Sequence, residues 1–122
     1  MSDLLSALLA VDKKPEKDVP LKRLGVTVRV KALDDKEIQR VNERATYGNK
    51  VDSHKQTLLL IQAGTVFDWS EKALLEHYGA SDGIDVIDKA LLPGEKVALV
   101  NEILSVSGFD QTMEKAIEQA KN

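Results

Sequence analysis

The sequence predicts an α+β fold that is mainly α: a compact helical domain of about five or six helices, with a short β-strand pair or hairpin near the N-terminus. Three observations carry this. Val26, Val28 and Val30 alternate with Thr27, Arg29 and Lys31, the period of a half-buried strand. From Leu33 onward, apolar residues recur at helical spacing in segments separated by Asp, Ser, Gly and Pro punctuation. The chain has 122 residues, 43% of them hydrophobic, enough for one domain with a real core.

Three regions follow from this patterning. Residues 1–18 read as a short amphipathic helix and a charged linker, 19–109 as the core domain, and 110–122 as a helix-prone tail. Ser2 fits an N-cap for a helix through Ala10, with Leu4, Leu5, Leu8 and Leu9 on one face. Nine residues fall short of the ~12–15 that an isolated helix needs, so the leucines require cover. They dock either on their own domain or on a partner chain. Val11 to Asp18 is charged and aperiodic, a linker by composition. Leu21 to Leu24 is the expected hairpin partner of the valine strand, turning at Gly25.

Leu33-Asp34-Asp35-Lys36-Glu37-Ile38 marks a helix start: Asp34 as N-cap, Glu37 at N3 reaching back, and Leu33 with Ile38 as a hydrophobic staple. Ile38, Val41 and Ala45 continue the inner face, and Gly48-Asn49 supplies the turn. A second helix starts at Asp52 or Ser53, carries Leu58 to Ile61 and Ala63, and ends at Gly64. Val66-Phe67 is extended or loop. Ser70 is the expected cap of a short helix with Ala73, Leu74 and Tyr78, closed by Gly79. Asp82 caps another with Ile84, Ile87, Ala90 and Leu91.

The strongest punctuation surrounds the next helix. Pro93 suits its first turn, and Glu95 places negative charge at the positive end of its dipole. Val97, Ala98, Leu99, Val100, Ile103, Leu104 and Val106 predict a helix buried on well over half its circumference, hence the central one. Gly108 can end it in the left-handed conformation, with Phe109 folding back as its hydrophobic cap. In the tail, Met113, Ala116, Ile117 and Ala120 share one side.

Chemistry is sparse. With no cysteine, disulfides, thiolate metal sites and a thiol nucleophile are excluded, and a reducing compartment fits. His54 and His77 lie in different helices, neither with a second ligand at metal spacing, and read as surface or cap residues. Asp82, Asp85 and Asp88 share one helix side. A capping carboxylate and a solvated face account for them, with a hard-cation site as the other reading. No phosphate-cradling glycine motif or nucleophile elbow is present. No catalytic residue, metal ligand or cofactor is therefore assigned. Trp69 and Tyr78 read as core or cap residues rather than a ligand cage. The start of the chain has no basic n-region, so it does not read as a signal peptide, and no apolar run approaches a membrane span.

Net charge is −3, which gives no general attraction to nucleic acid. Between Asp12 and Lys31, however, seven basic residues (Lys13, Lys14, Lys17, Lys22, Arg23, Arg29, Lys31) face three acidic ones. This run is either a solvated linker and outer strand face or a basic docking face for an acidic partner.

Several segments, taken in order, resemble one known family. Leu33-Asp34-Asp35-Lys36-Glu37 resembles its helix start after a strand, Leu74 with Tyr78-Gly79 its Leu-x-x-x-Tyr-Gly segment, and Leu91-Leu92-Pro93-Gly94-Glu95 its Leu-Thr-Pro-Gly-Glu segment. Ser107-Gly108-Phe109-Asp110, the closing Ala116-Ile117-Glu118-Gln119-Ala120-Lys121-Asn122 and the opening Met1-Ser2-Asp3-Leu4 are similar too. Together they resemble the phage tail assembly chaperone family of Gram-positive phages and prophages. The departures lie at the strands: the turn is short, and Val28 and Val30 stand where an aromatic is often found.

The resemblance implies a non-catalytic protein of the host bacterial cytoplasm that is absent from the mature virion. It implies as partners the tape measure protein, which it would keep soluble, and the major tail-tube protein, which it would help recruit. Self-association is a further expectation; nucleic acid and membrane are not partners. It also implies that the gene can yield a longer frameshifted product. Leu4, Leu5, Leu8, Leu9, Met113 and Ile117 are the candidate partner-binding residues. The rival reading is a structural tail component retained in the virion.

Overall fold

The computed structural model describes residues 2–11 and 14–109. The fold is α+β and mainly α, with six α-helices and a short antiparallel strand pair near the N-terminus among the described residues. Helix α1 spans Ser2–Ala10, followed by β1 (Glu16–Leu21) and β2 (Val26–Lys31). These two strands form a hairpin in which Val19 faces Val28 and Leu21 faces Val26. The tail residues Met113 and Ile117 lie outside the described residues.

The hairpin differs from the sequence expectation. The partner strand is Glu16–Leu21, not Leu21 to Leu24, so part of the expected linker is strand and residues 22–25 are the turn. The reason is cross-strand chemistry. Arg29 bonds Glu16 at 2.8 Å and Asp18 at 3.1 Å on the outer face, while Val19 and Leu21 turn inward and are buried. Gly25 takes a left-handed conformation (φ 69°) that closes the turn. On the other flank of β2, Val66 N–H donates to Arg29 C=O at 2.8 Å, and Thr65 bridges to Val30. Val66 and Phe67 themselves form a bend, the loop alternative of the expectation.

Helix α2 (Asp35–Arg44) begins as expected. Asp34 accepts the Glu37 N–H at 2.9 Å, and the Glu37 carboxylate accepts the Asp34 N–H at 3.2 Å. The two-residue strands β3 (Thr46–Tyr47) and β4 (Lys50–Val51) enclose the Gly48-Asn49 turn. Asp52 caps α3 (Ser53–Gly64) by accepting the Lys55 N–H. Gly64 is the last residue of α3 and lacks positive φ; a β-carbon there would meet Ile103 at 2.6 Å. The helix does end at Gly64, as expected, but close packing rather than a left-handed conformation explains why the residue is a glycine.

Helix α4 (Lys72–Tyr78) starts one residue beyond the expected cap, with Glu71 rather than Ser70 at the N-cap. Ser70 instead donates its N–H to the Asp68 carboxylate. Gly79 ends α4 at φ 58°, as its position predicts. Asp82 caps α5 (Gly83–Ala90) through the Asp85 N–H at 2.9 Å. Helix α6 (Pro93–Leu104) runs into a π-type last turn, Ser105–Phe109, that ends at Gly108 (φ 98°).

Two expectations for α6 are corrected. Its buried residues are Lys96, Leu99 and Ile103, a narrow stripe, whereas Val97 is 58% exposed and Ala98 is exposed. The hub is α3, which packs against α2, α5 and α6, while α6 bridges α3 to both strands of the hairpin. An apolar run marks burial only where a neighbour exists, and α6 has neighbours on one side. Phe109 remains about half exposed rather than folding back as a cap.

Leu21, Val30, Leu33, Ile61, Ile87 and Ile103 lie in the main core, with Val41, Ala45 and Leu59 forming a smaller cluster under α2. Ser107 ties the end of α6 to the start of α2. Its hydroxyl accepts the Leu33 N–H at 2.8 Å and donates to the Ile103 carbonyl at 2.6 Å.

Candidate partner-binding site

Apolar surface, not polar chemistry, is the unsatisfied feature of this fold. Leu4, Leu5, Leu8 and Leu9 of α1 are 59–77% exposed, so this helix presents its leucines to solvent instead of docking on its own body. Each leucine would gain about 1.5–3 kcal/mol on full burial, so this face favours a partner.

A second apolar feature lies at the far end of the hairpin. A cleft of about 250 Å³ opens between the hairpin turn, the segment after α3 and helices α4 and α5. Buried Leu21, Trp69, Val86 and Leu91 form its floor, and Leu24, Val26, Val66 and Phe67, each about half exposed, form its rim. The floor is rigid for a polar reason. Thr65, itself buried, accepts the Trp69 indole N–H at 2.7 Å and donates its hydroxyl proton to the Ile61 carbonyl at 2.7 Å. Phe67 stands edge-on to Trp69 with ring centroids 4.9 Å apart. Trp69 is thus a core residue, as expected, but its ring also floors a groove. The sequence reading missed this groove. Its available signal was two sets of large apolar residues, Leu24/Val26 and Val66/Phe67, at or beside turns where polar residues are usual.

Four cations of the basic run, Lys14, Lys17, Arg23 and Arg29, are engaged within the body. Lys14 contacts Asp34 and Glu37 at 3.1 Å each, Lys17 pairs with Glu102, and Arg29 with Glu16 and Asp18. Arg23 makes a two-pronged contact with Glu95, at 2.9 and 2.7 Å, and also donates to the Ala90 carbonyl. The Arg23 guanidinium, aided by the Leu92 N–H, pulls the Glu95 carboxyl down to about 2. The Glu37 N–H, with Lys14, likewise lowers Asp34.

The aspartates of α5 are also engaged. Asp82 is the cap, Asp85 accepts the Ser81 N–H and pairs with Lys89, and Asp88 accepts Lys96 Nζ at 2.7 Å and faces His54 Nε2 at 3.0 Å. Lys96, largely buried, holds Asp88 below the usual carboxylate range. Among the described residues no group of three or more His, Asp or Glu side chains could hold a metal ion. His77 is exposed and stands edge-on to Tyr78. No helix of the described residues is long and apolar enough to cross a membrane.

A family model described as phage XkdN-like tail assembly chaperone protein matches residues 2–121. The fold is similar to the crystal structure of the protein yqbN, a structural genomics target. The two chains are 26% identical, with a TM-score of 0.67 over 82% of this chain and 90% of that one. No curated protein matches this chain.

Proposed function

Because this chain belongs to the phage XkdN-like tail assembly chaperone family, we propose that its client is the tape measure protein, which it binds through the leucine face of α1 and keeps soluble. In this reading it also helps recruit the major tail-tube protein, works in the host cytoplasm and is left out of the finished virion. The role is binding, without catalysis. The body, from β1 to the end of α6, is the scaffold, and the two ends, α1 and residues 110–122, do the binding.

The observation that carries this reading is the exposure of Leu4, Leu5, Leu8 and Leu9 on one short helix joined to the body by a short tether. A helical client with apolar stripes is the natural complement of such a face, helix against helix. Tail assembly requires that the client be covered first and surrendered later. A contact of four leucines is small enough to be exchanged.

Co-expression with the tape measure protein of the same gene cluster tests the proposal. The client is expected to become soluble and to co-purify. Leu5→Asp with Leu8→Asp is expected to abolish co-purification while the thermal midpoint moves little, because both side chains are already in water. A client that remains insoluble with both this protein and its longer frameshifted form would refute the reading. Presence of the protein in purified particles at fixed copy number would favour a structural tail component instead.

A further inference from the structure

We propose that the cleft at the hairpin turn is the seat of helix α1 from a second copy of this chain, so that two copies exchange their N-terminal helices. Each copy carries both halves of an apolar contact, four exposed leucines and an open apolar groove. Within one copy the two halves cannot meet.

The reason is the length and anchoring of the tether. Only residues 11–13 separate α1 from Lys14, and Lys14 is held on Asp34 and Glu37 at the start of α2. Pro15 is held as well, its carbonyl accepting the Ala32 N–H at 2.9 Å. Both anchors lie at the Glu16–Lys31 end of the hairpin, whereas the cleft lies at the Leu21–Val26 end. Seven strand steps of ~3.4 Å put the cleft roughly 24 Å from Lys14. To point toward it the chain must reverse, and a turn of about four residues consumes the whole tether. A nine-residue helix then extends only ~14 Å. It would end near the Asp18–Arg29 pair, at the near edge of the cleft, with its leucines short of it.

Two copies side by side and antiparallel remove that difficulty, because the α1 end of each lies against the cleft end of the other. The contact is then the same patch used twice, the commonest form of protein symmetry. Its size is sufficient. A leucine side chain carries on the order of 90 Å² of apolar surface, so four that are about two-thirds exposed offer roughly 250 Å². With a similar area on the groove, two reciprocal contacts bury about 1,000 Å², the lower limit of a specific interface. A reversible dimer in the micromolar range is the expected result.

Sedimentation velocity across about 1–500 µM protein reads this directly. Wild-type chain is expected to pass from monomer to dimer, and Leu5→Asp with Leu8→Asp, or separately Val66→Asp with Phe67→Asp, to remain monomeric throughout. All four positions are exposed, so the variants should keep the wild-type circular dichroism. Because the chain has no cysteine, a cross-link adds a second readout. Isotope-labelled Leu8→Cys chain mixed with unlabelled Phe67→Cys chain should give mainly the mixed disulfide dimer under mild oxidation. A wild-type chain that stays monomeric would overturn the proposal, as would a dimer that survives either pair of substitutions. Loss of the dimer in the cleft variant alone would place another segment, such as residues 110–122, in the cleft. A disulfide formed within one Leu8→Cys/Phe67→Cys chain would show docking in cis. This dimer and the proposed client would share one leucine face, and the Val66→Asp with Phe67→Asp variant, which leaves that face intact, separates the two: it should lose the dimer and still co-purify with the client.

Discussion

Replacing Gly64 with alanine tests whether the contact between α3 and α6 is as close as the structure has it. A β-carbon at position 64 would lie 2.6, 2.7 and 2.8 Å from Cγ2, Cδ1 and Cγ1 of Ile103. Optimal carbon–carbon separation is about 3.5–4.0 Å, so one helix or the Ile103 side chain must retreat by roughly 1 Å. Ile103 is fully buried and β-branched, with little rotamer freedom to yield. Gly→Ala in a helix gains up to about 1 kcal/mol in propensity, and overpacking of this kind costs about 1–3 kcal/mol. The net expectation is destabilisation of about 1–2 kcal/mol, read as a lower urea midpoint at unchanged slope. Gly94→Ala is the control. Its β-carbon would meet nothing within 4 Å in the first turn of α6, so a gain of about 0.4–1 kcal/mol is expected. Ile103→Ala removes all three obstructing carbons and should relieve the clash, giving a coupling energy of about 1 kcal/mol in the double-mutant cycle. If Gly64→Ala stabilises as much as Gly94→Ala, or the coupling is below about 0.3 kcal/mol, the close-packing argument fails.

Three further outcomes follow from polar contacts. Asp88→Ala is expected to cost about 1–3 kcal/mol in urea denaturation, because it leaves the largely buried Lys96 ammonium without its carboxylate and with only the main-chain carbonyl at position 88; Lys96→Met should cost less, since the Asp88 carboxylate it leaves behind reaches water. Glu95 is held at about 2 against an ordinary 4.5, so its stabilising effect is complete above the ordinary value and is lost as pH falls toward 2. Arg23→Gln should raise the Glu95 carboxyl toward 4.5, visible in a carbon-13 NMR titration, and move the acid limb of unfolding to higher pH. Asp34→Ala removes the cap of α2 together with a partner of Lys14, and a loss of about 1 kcal/mol in the thermal or urea midpoint is expected.

Helix ends, and one of the turns, were determined by the sequence alone, because their physics is local. The Asp34/Glu37 reciprocal cap, the Asp52 and Asp82 caps, the Gly48-Asn49 turn and the left-handed Gly79 and Gly108 each involve groups within a few residues of one another. So does the leucine face of α1, whose spacing is legible even though its partner is not. Tertiary structure decided whatever depends on a distant neighbour. Glu16 to Asp18 carries no strand pattern of its own and becomes strand because Arg29, across the hairpin, pairs with Glu16 and Asp18. Val97 reads as core and is exposed, while Lys96, of a residue type almost never buried unless paired, is buried, because α5 supplies the Asp88 carboxylate and main-chain carbonyl that accept its ammonium group. Gly64 reads as a helix end, which it is, but its contact with Ile103, 39 residues further on, is set by the tertiary fold. The cleft shows in the sequence only as large apolar residues at two turns, since its lining comes from four separated segments whose apolar side chains acquire a common surface only when the chain closes.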